Sequence, residues 1–252
     1  MSLSVLILAK NEEKNIRDCI KSAQFADEII VIDDYSTDQT VNIAQELGAK
    51  VCQRLMNGNW GGQQNYAIDQ ASTDWIFFLD ADERITEQLA QEVLQAVKEN
   101  KLYAYQVPRM NYIMGKPLRH GGWYPDHGYH LVPREGVRVE GLVHPQFVHQ
   151  YPIKKLSYPI THYTYSSWEH YFNKLNLYTK LAAEKNFNKG KRANFLFDIV
   201  LRPHVAFLKM YILKSGWRDG KIGFIVAAFH FFYTMAKYVK LYYLQNTAEE
   251  TP

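Results

Sequence analysis

The sequence predicts an α/β fold, in which a mostly parallel sheet is flanked by helices and followed by a helical C-terminal appendage. Apolar runs and amphipathic segments alternate through residues 1–100, which is the rhythm of strands joined by helices. The run WIFFL at residues 75–79 has no polar alternation and is typical of a strand buried on both faces. We therefore predict a main domain at residues 1–165 and a helical region at residues 166–252.

The predicted elements of the main domain follow in order along the chain. The strands are residues 4–8, 28–33, 50–54 and 75–79, and the helices are residues 12–23, a segment ending at residue 47, and residues 63–70. Ser36, Thr37 and Asp38 are candidate N-caps of the second helix, because their side chains can accept hydrogen bonds from its first turn.

The pattern of alternating strands and helices changes after residue 100. Short strands at residues 103–111, 129–133 and 137–148, set among Gly/Pro loops, predict an antiparallel flank to the sheet. Ser166 and Glu169 have capping-box spacing, and they predict a helix that runs to about residue 186.

Two apolar stretches follow this helix, at residues 195–213 and 222–244. The fifteen residues from 222 to 236 carry no charge, whereas a membrane span needs about 20 apolar residues. We therefore expect this segment either to lie in a membrane interface or to pack against a neighbouring helix.

The charge of the chain is divided unequally. Residues 1–150 hold 14 Lys/Arg against 20 Asp/Glu, and residues 151–252 hold 15 against 6, which together give the net charge of +3. A basic and apolar tail predicts contact with an anionic membrane surface rather than with nucleic acid. Two cysteines and an N-terminus without signal-peptide features predict a cytoplasmic protein, peripheral on the cytoplasmic face of the inner membrane.

A pair of carboxylates, Asp80 and Asp82, follows the buried strand directly. Open α/β sheets bind ligands at the carboxyl ends of their strands, and oxygen ligands of this kind suit Mg²⁺ or Mn²⁺ together with the phosphates of a nucleotide. Seen alone, the two acids could also be solvated residues that cap the next helix.

Further polar residues follow the other strands. Asp33 and Asp34 end the second strand, where they could accept hydrogen bonds from a base or ribose, or cap a helix. The segment from Gly58 to Asn65 reads as a flexible polar loop that a ligand could approach closely. The turn after the first strand, AKNEE, has no glycines, which excludes a GxGxxG dinucleotide site there.

Together these motifs resemble family 2 glycosyltransferases, enzymes of the GT-A fold (related to the Rossmann fold) that use nucleotide-diphosphate sugars. The resemblance rests on LILAKNEEKNI, DEIIVIDDYSTDQT, GGQQNYAID and FLDADE. The later segments GGWYPD, GLVHP and THYTYSS, with the apolar tail, resemble a bacterial subgroup that includes lipopolysaccharide core-biosynthesis glucosyltransferases.

The resemblance implies roles for five acidic residues. Asp33, with Asp34 beside it, would contact the nucleotide base or ribose, and Glu12 would border the nucleoside pocket. Asp80 would lie near the ribose and the metal, and Asp82 would be the principal ligand of Mg²⁺ or Mn²⁺. Such a metal would stabilise the negative charge that builds on a diphosphate leaving group.

An inverting transfer also needs a base to take the proton of the acceptor hydroxyl. The family usually has Glu-Asp before an Arg-Leu strand, whereas this chain has Pro125-Asp126 and His130-Leu131. Asp126 is the first candidate, and Glu140 and His144 are the reserve candidates. The His-Glu of the subgroup is His144-Pro145 here, which removes one carboxylate.

Several other polar residues of the middle segment have weaker interpretations. Arg109 could meet a phosphate of an anionic acceptor, or it could be an ordinary surface charge. Six histidines could suggest zinc, but they lack ligand spacing on one element; these are His120, His127, His130, His144, His149 and His162.

The residues and the resemblance together predict a metal-dependent inverting glycosyltransferase. The donor would be a nucleotide-diphosphate sugar, UDP-glucose or UDP-galactose, and the acceptor a lipid-linked saccharide such as lipopolysaccharide core. Two alternatives stay open: a nucleotidyltransferase that makes a nucleotide sugar, and a catalytically inactive, membrane-associated saccharide-binding module. The absence of a glycine-rich triphosphate cradle disfavours the first, and the intact Asp80/Asp82 pair disfavours the second.

Overall fold

The computed structural model describes residues 1–142, 145–165 and 168–249. The chain divides into two compact units. The N-terminal unit consists of Met1–Met110 and Asp126–His162, and the C-terminal unit consists of Asn111–Pro125 and Tyr163–Pro252.

Most of the strands lie in the N-terminal unit. In chain order they are β1 (Leu3–Ala9), β2 (Glu28–Asp33), β3 (Lys50–Gln53), β4 (Trp75–Asp80), β5 (Glu83–Arg84), β6 (Ala104–Ile113), β7 (Lys116–Pro117), β8 (Asp126–Pro133), β9 (Arg138–Glu140), β10 (Gln146–Val148), β11 (Ile153–Lys155) and β12 (Ile160–Tyr165). Within the described residues, the main sheet runs in the order β3-β2-β1-β4-β8-β6-β12-β5, with β7 and β11 paired to β6. Strands β9 and β10 form a separate hairpin.

The predicted fold class is confirmed. Strands β3, β2, β1 and β4 are parallel, and β8 pairs antiparallel with β4 and β6, as the sequence predicts for the flank. The predicted segment 137–148 contains two short strands, β9 and β10, which pair antiparallel with each other. All the apolar side chains of β4 and all those of β1 except the partly buried Leu8 are buried, because helices cover the parallel part of the sheet.

The helices also follow chain order. They are α1 (Ile16–Ser22), α2 (Thr40–Glu46), α3 (Trp60–Gln70), α4 (Glu87–Glu99), α5 (Trp168–Asn188), α6 (Arg202–Leu208) and α7 (Gly220–Glu249). None of the three predicted residues is the N-cap of α2, which is Gln39, although Asp38 accepts a hydrogen bond from the Thr40 backbone N–H at 3.0 Å. Helix α1 begins at Ile16, four residues later than predicted. The Glu12 backbone N–H donates a hydrogen bond to Thr40 Oγ1 at 2.7 Å. This bond ties the first loop to the second.

The prediction of a flexible loop from Gly58 to Asn65 is wrong, because α3 already begins at Trp60. The Asn59 side chain caps the helix by accepting a hydrogen bond from the Gly62 N–H at 2.8 Å. A Cβ on Gly61 would lie 2.6 Å from the Gly141 carbonyl oxygen, so the glycine allows α3 to pack against the segment after β9.

Helices dominate the C-terminal unit. Between α5 and α7 the chain forms π-helical turns at Phe195–Leu201 and Lys209–Leu213 on either side of α6. The residues Gly216–Thr247 form one helical stretch that is long and apolar enough to cross a membrane by length and composition. The predicted cap Ser166 lies outside the described residues.

Candidate active site

The carboxyl ends of three neighbouring strands meet at one edge of the sheet. In the register of the parallel pairs, Ala9 of β1 lies beside Asp33 of β2, and Leu8 lies beside Asp80 of β4. The buried apolar residues before each acid fix this alignment, because a slip of one residue would turn the core side chains to the other face. The sheet therefore brings Asp33 and Asp80, which are distant in sequence, to the same edge.

Asp33 is fully buried, and only one of its carboxylate oxygens has a protein partner among the described residues. Oδ2 accepts hydrogen bonds from the Ser36 backbone N–H and from Gln53 Nε2, each at 3.0 Å. Oδ1 is buried without a hydrogen bond. A buried carboxylate oxygen is normally satisfied, so this atom is suited to accept a hydrogen bond from a ligand.

Asp34 and Glu12 are engaged in the loops that surround this edge. Asp34 accepts hydrogen bonds from Lys10 Nζ at 2.8 Å and from the Met56 backbone N–H at 2.9 Å. Although burial opposes the shift, these two bonds lower the pKa of Asp34. Glu12 Oε2 accepts a hydrogen bond from Asn15 Nδ2 at 2.8 Å. Both acids therefore order the loops after β1 and β2.

Asp80 is the exposed last residue of β4, whereas the five residues before it are buried. Protein atoms still crowd its carboxyl group. Desolvation, with the charges of Glu83 and Asp82, raises the pKa of Asp80 to about 6. A bound cation would offset the repulsion between Asp80 and these neighbouring acids, so the arrangement suits a metal ion.

Glu83 lies behind Asp80 and is completely buried. Its Oε2 accepts a hydrogen bond from the Asp80 backbone N–H at 3.0 Å, and its Oε1 lies 2.8 Å from Arg109 Nε. Arg109 in turn places Nη1 3.8 Å from Asp126 Oδ2. Burial raises the pKa of Glu83, although Arg109 and His162 oppose the shift. The charged side chains of Glu83, Arg109 and Asp126 thus form a series of contacts that links the end of β4 to the start of β8.

His130 supports the same strand end from β8. Its Nδ1 lies 2.7 Å from the Phe78 carbonyl oxygen, so Nδ1 carries the proton and donates. Burial lowers the pKa of His130 to about 4, which keeps the ring neutral. The buried Nε2 atom has no hydrogen-bond partner among the described residues.

His162 lies next to the second acid of the pair. Strand β12 pairs antiparallel with β5, with His162 opposite Glu83, and His162 Nε2 lies 3.4 Å from Asp82 Oδ2. The sequence motifs contained His162 and Arg109 but did not connect them with the acids. Only the pairing of distant strands brings them together, so no local spacing could have identified them.

The three candidate bases lie in different places. Asp126 is the first residue of β8, and 56% of its side chain is exposed. Glu140 ends β9, next to the residues that pack on the first turn of α3, and is exposed. His144 lies outside the described residues. Of the candidates within the described residues, Asp126 forms an ion pair with Arg109, which is itself paired with Glu83.

The donor atoms at the edge fit a divalent cation that is shared with phosphate. Within residues 1–142, 145–165 and 168–249, no set of three or more His, Cys, Asp or Glu side chains is arranged to hold a metal by itself. Mg²⁺ in nucleotide sites commonly takes one or two carboxylates, with the remaining ligands from phosphate oxygens and water. The pair Asp80 and Asp82 matches that incomplete protein shell.

Comparison with known proteins identifies the class. The profile described as "Glycosyl transferase family 2" matches residues 4–151, and the chain belongs to this family. It is therefore a glycosyltransferase.

Two relatives resemble the chain over most of its length. "Lipopolysaccharide core biosynthesis glycosyltransferase LpsC" of Rhizobium meliloti (strain 1021) is 30% identical over 94% of this chain and 92% of its own. "Uncharacterized glycosyltransferase RT0209" of Rickettsia typhi (strain ATCC VR-144 / Wilmington) is 28% identical over 93% and 86%. The predicted similarity to a lipopolysaccharide core glycosyltransferase is thereby confirmed.

A solved structure shares the fold. TarS 1–349 of S. aureus, in complex with UDP-GlcNAc, aligns with a TM-score of 0.52 at 16% identity, over 99% of this chain and 92% of its own. At this identity the likeness concerns the fold alone, and it confirms the GT-A-like expectation.

Proposed function

We propose that this enzyme is a metal-dependent, inverting hexosyltransferase. The donor is a nucleotide-diphosphate sugar, UDP-glucose or UDP-galactose, and the acceptor is a lipid-linked saccharide such as lipopolysaccharide core. The observation that carries the proposal is the meeting of Asp33 and Asp80 at the carboxyl edge of the parallel strands, with Asp82 two residues after Asp80.

The nucleoside of the donor binds beside β1 and β2. Asp33 Oδ1, which is buried without a protein donor in the described residues, accepts a hydrogen bond from the base or the ribose. Asp34 and Glu12 border this pocket, where their bonds to Lys10, Met56 and Asn15 hold the loops in place. A pocket ordered before binding loses less conformational entropy when the donor arrives.

Asp82 would be the principal ligand of Mg²⁺ or Mn²⁺, and Asp80 would lie near the ribose and the metal. When bound, the cation would stabilise the charge that develops on the departing diphosphate. His162 orients the Asp82 carboxylate, from which its Nε2 is 3.4 Å away. Glu83 fixes the backbone of Asp80 and keeps the end of β4 in position.

Asp126 is the base that takes the proton of the acceptor hydroxyl as the hydroxyl oxygen attacks the anomeric carbon. Its side chain is mostly exposed, so an acceptor can reach it. Arg109 lies 3.8 Å from one of its oxygens and orients the carboxylate. Glu140 and His144 are the reserve candidates for this role.

The nature of the acceptor rests on two observations. The relative LpsC is named for lipopolysaccharide core biosynthesis, and the similarity extends over nearly the whole of both chains. The region from residue 151 onwards is basic, with 15 Lys/Arg against 6 Asp/Glu, which suits an anionic membrane surface. The enzyme would therefore work on the cytoplasmic face of the inner membrane, and we assign catalysis to residues 1–165 and membrane association to residues 166–252.

The deciding experiment is slow hydrolysis of a panel of nucleotide sugars by the purified protein, with Mn²⁺, with Mg²⁺ and with EDTA. Release of UDP from one donor, dependent on metal, is the expected result and identifies the sugar. Calorimetric titration with UDP in the same three conditions is the companion measurement. If no donor is hydrolysed and UDP does not bind in the presence of metal, the proposal is wrong, and a saccharide-binding module without activity becomes the better description.

A further inference from the structure

A stripe of apolar side chains faces outward from the helical segment between α5 and α7. Its members are Phe197, Leu201, Val205, Leu208 and Ile212, and each is between 45% and 62% exposed. Their spacing of four, four, three and four residues places them on one face of a helix. We call this set the apolar stripe.

The other side of the same segment packs within the C-terminal unit. Pro203 is buried, and the rings of Phe207 and Tyr211 each lie 5.7 Å from the ring of Phe224 in α7. The segment is therefore a folded part of the unit that leaves the stripe uncovered. Leu213 and Trp217, both more than half exposed, extend the uncovered apolar surface beyond the stripe.

The exposed charged side chains of the segment that contains the stripe are basic. Residues 189–221, all of them described, contain eight basic side chains, and every one is exposed. They are Lys189, Lys191, Arg192, Arg202, Lys209, Lys214, Arg218 and Lys221. An exposed apolar face bordered by basic side chains is typical of a helix that lies in the plane of an anionic membrane.

Both acids of this segment are turned inward. Asp198 is buried, accepts a hydrogen bond from the Asn194 N–H at 2.9 Å, and lies 2.7 Å from Arg202 Nε. The Asp219 side chain is 7% exposed, and its Oδ1 lies 2.7 Å from His120 Nδ1. The backbone N–H of His120 also donates to Asp219, at 2.9 Å. The surface that surrounds the stripe is consequently positive.

We propose that the apolar stripe and its basic border are a docking surface for an anionic lipid bilayer, on which this segment lies in the plane of the interface. The apolar side chains enter the acyl boundary, and the Lys and Arg side chains meet the headgroup phosphates. This proposal deepens the lipid-linked acceptor proposed above, but the contacts that carry it are independent of the transfer reaction.

A second copy of the chain is a poorer occupant of the same surface. In a twofold dimer the same patch faces itself, so the basic borders of the two copies would come together. Like charges at such an interface oppose association. An anionic bilayer instead matches both the apolar stripe and the positive border.

The segment at residues 222–236, which the sequence suggested as interfacial, is a less suitable membrane contact. It belongs to α7, and of its fifteen residues only Phe224 and Phe232 are exposed. Polar bonds of later residues also hold α7 in the C-terminal unit. Lys240 Nζ donates to the Asn176 carbonyl oxygen at 2.8 Å, and Gln245 exchanges two hydrogen bonds with the Ala193 backbone. A helix held in this way is expected to remain within the unit while the apolar stripe contacts lipid.

The test is co-sedimentation of the full chain with vesicles of phosphatidylcholine, with or without phosphatidylglycerol. Binding is expected only to the anionic vesicles, and high salt is expected to weaken it. The variant Lys209→Gln/Lys214→Gln/Arg218→Gln should lower the partition coefficient by roughly 100-fold, since each basic residue near an anionic surface adds several-fold to binding. Its matched control, Lys14→Gln/Lys21→Gln/Lys98→Gln, removes three exposed lysines of the N-terminal unit and should bind like the wild type.

The apolar part of the surface has its own variant. Leu201→Gln/Val205→Gln/Leu208→Gln should lower partitioning by about tenfold or more, because apolar area that enters the bilayer is lost. Leu94→Gln/Leu102→Gln, two exposed leucines of the N-terminal unit, is the control. Circular dichroism and donor hydrolysis show whether each variant keeps its fold and its activity, which separates a loss of binding from a loss of structure.

Several results would overturn the proposal. Equal binding to neutral and anionic vesicles, or an equal loss of binding in the test and control variants, would show that this surface is not the site of anionic-lipid binding. Resistance of bound protein to a carbonate wash would mean that α7 spans the bilayer. A dimer in sedimentation equilibrium that the apolar variant dissociates would make the stripe a protein interface. A protein that binds vesicles as expected but hydrolyses no donor would keep this inference and reject the proposed function.

Discussion

Arg109 and Glu83 form an ion pair, with 2.8 Å between Nε and Oε1, in which the carboxylate is completely buried. The pair joins β6 to the residues that follow β4, and Glu83 also accepts the hydrogen bond of the Asp80 N–H. A buried charge without its partner is strongly destabilising, so this contact holds the end of β4 that carries the acidic pair.

Replacement of Glu83 by Gln should therefore destabilise the protein. The substitution leaves the Arg109 guanidinium without its closest counter-ion, and we expect the free energy of unfolding to fall by about 3 kcal/mol. Urea denaturation near neutral pH measures the loss. Glu87→Gln, at an exposed position in the first turn of α4, is the control and should change stability by about 0.5 kcal/mol or less. An equal effect of the two substitutions would show that the buried pair does not stabilise the site.

Replacement of Asp82 by Ala should abolish sugar transfer while the protein remains folded. Asp82 follows the end of β4 and belongs to neither of the two hydrophobic clusters of the N-terminal unit, so its removal leaves their packing intact. We expect kcat to fall by at least about 100-fold, which is typical when electrostatic stabilisation of a leaving group is lost. Metal-dependent UDP binding, followed by calorimetry, should be lost too. Retained turnover would contradict the metal-ligand assignment; Asp18→Ala on the surface of α1 is the control.

Replacement of Asp126 by Asn should separate binding from chemistry. The amide keeps the size of the side chain but cannot take a proton, so UDP binding should persist while transfer falls by roughly 10²–10⁴-fold. Single-turnover transfer to the acceptor is the measurement. Glu140→Gln, tested in parallel, is expected to transfer normally. If the two results are reversed, Glu140 is the base, and if both variants are active, His144 becomes the candidate.

The stability of the protein should depend on pH through His130. Because its pKa is lowered to about 4 in the folded state, the unfolded chain binds a proton that the folded chain excludes between about pH 6.5 and pH 4. Stability is therefore lost as the pH falls through this window. His130→Asn keeps an N–H donor for the Phe78 carbonyl but cannot bind a proton in this pH range, so it removes the contribution of His130 to the pH dependence of stability.

The difference in unfolding free energy between the wild type and His130→Asn should consequently change with pH. Between pH 7.5 and pH 5, we expect the wild type to lose about 2 kcal/mol relative to the variant, at 1.36 kcal/mol for each pH unit below the unfolded pKa. Urea denaturation at the two pH values measures this shift. Parallel curves for the two proteins would mean that the imidazole is not held neutral in the fold.

Local patterns in the sequence determined the parallel half of the sheet. The second strand is found at its predicted bounds, 28–33, and the fourth is one residue longer than its predicted bounds, 75–79. Uninterrupted apolar runs that end in acids leave little choice of register, because a shift along the strand would place carboxylates among the apolar side chains of the core. The same pattern identifies Asp33, Asp80 and Asp82 as candidate site residues, and in the structure Asp33 and Asp80 lie at one edge of the sheet.

Only the tertiary structure brought in the partners of these acids. Arg109 is 26 positions from Glu83, and His162 is 80 positions from Asp82, yet antiparallel pairing sets them side by side. The start of α3 at Trp60 likewise depended on a distant segment, since Gly61 packs against the Gly141 carbonyl. The periodicity of apolar residues indicates which face of each segment is buried in the core. Contacts between polar side chains of different strands depend instead on which strands become neighbours, and the packing of the whole sheet decides which strands these are.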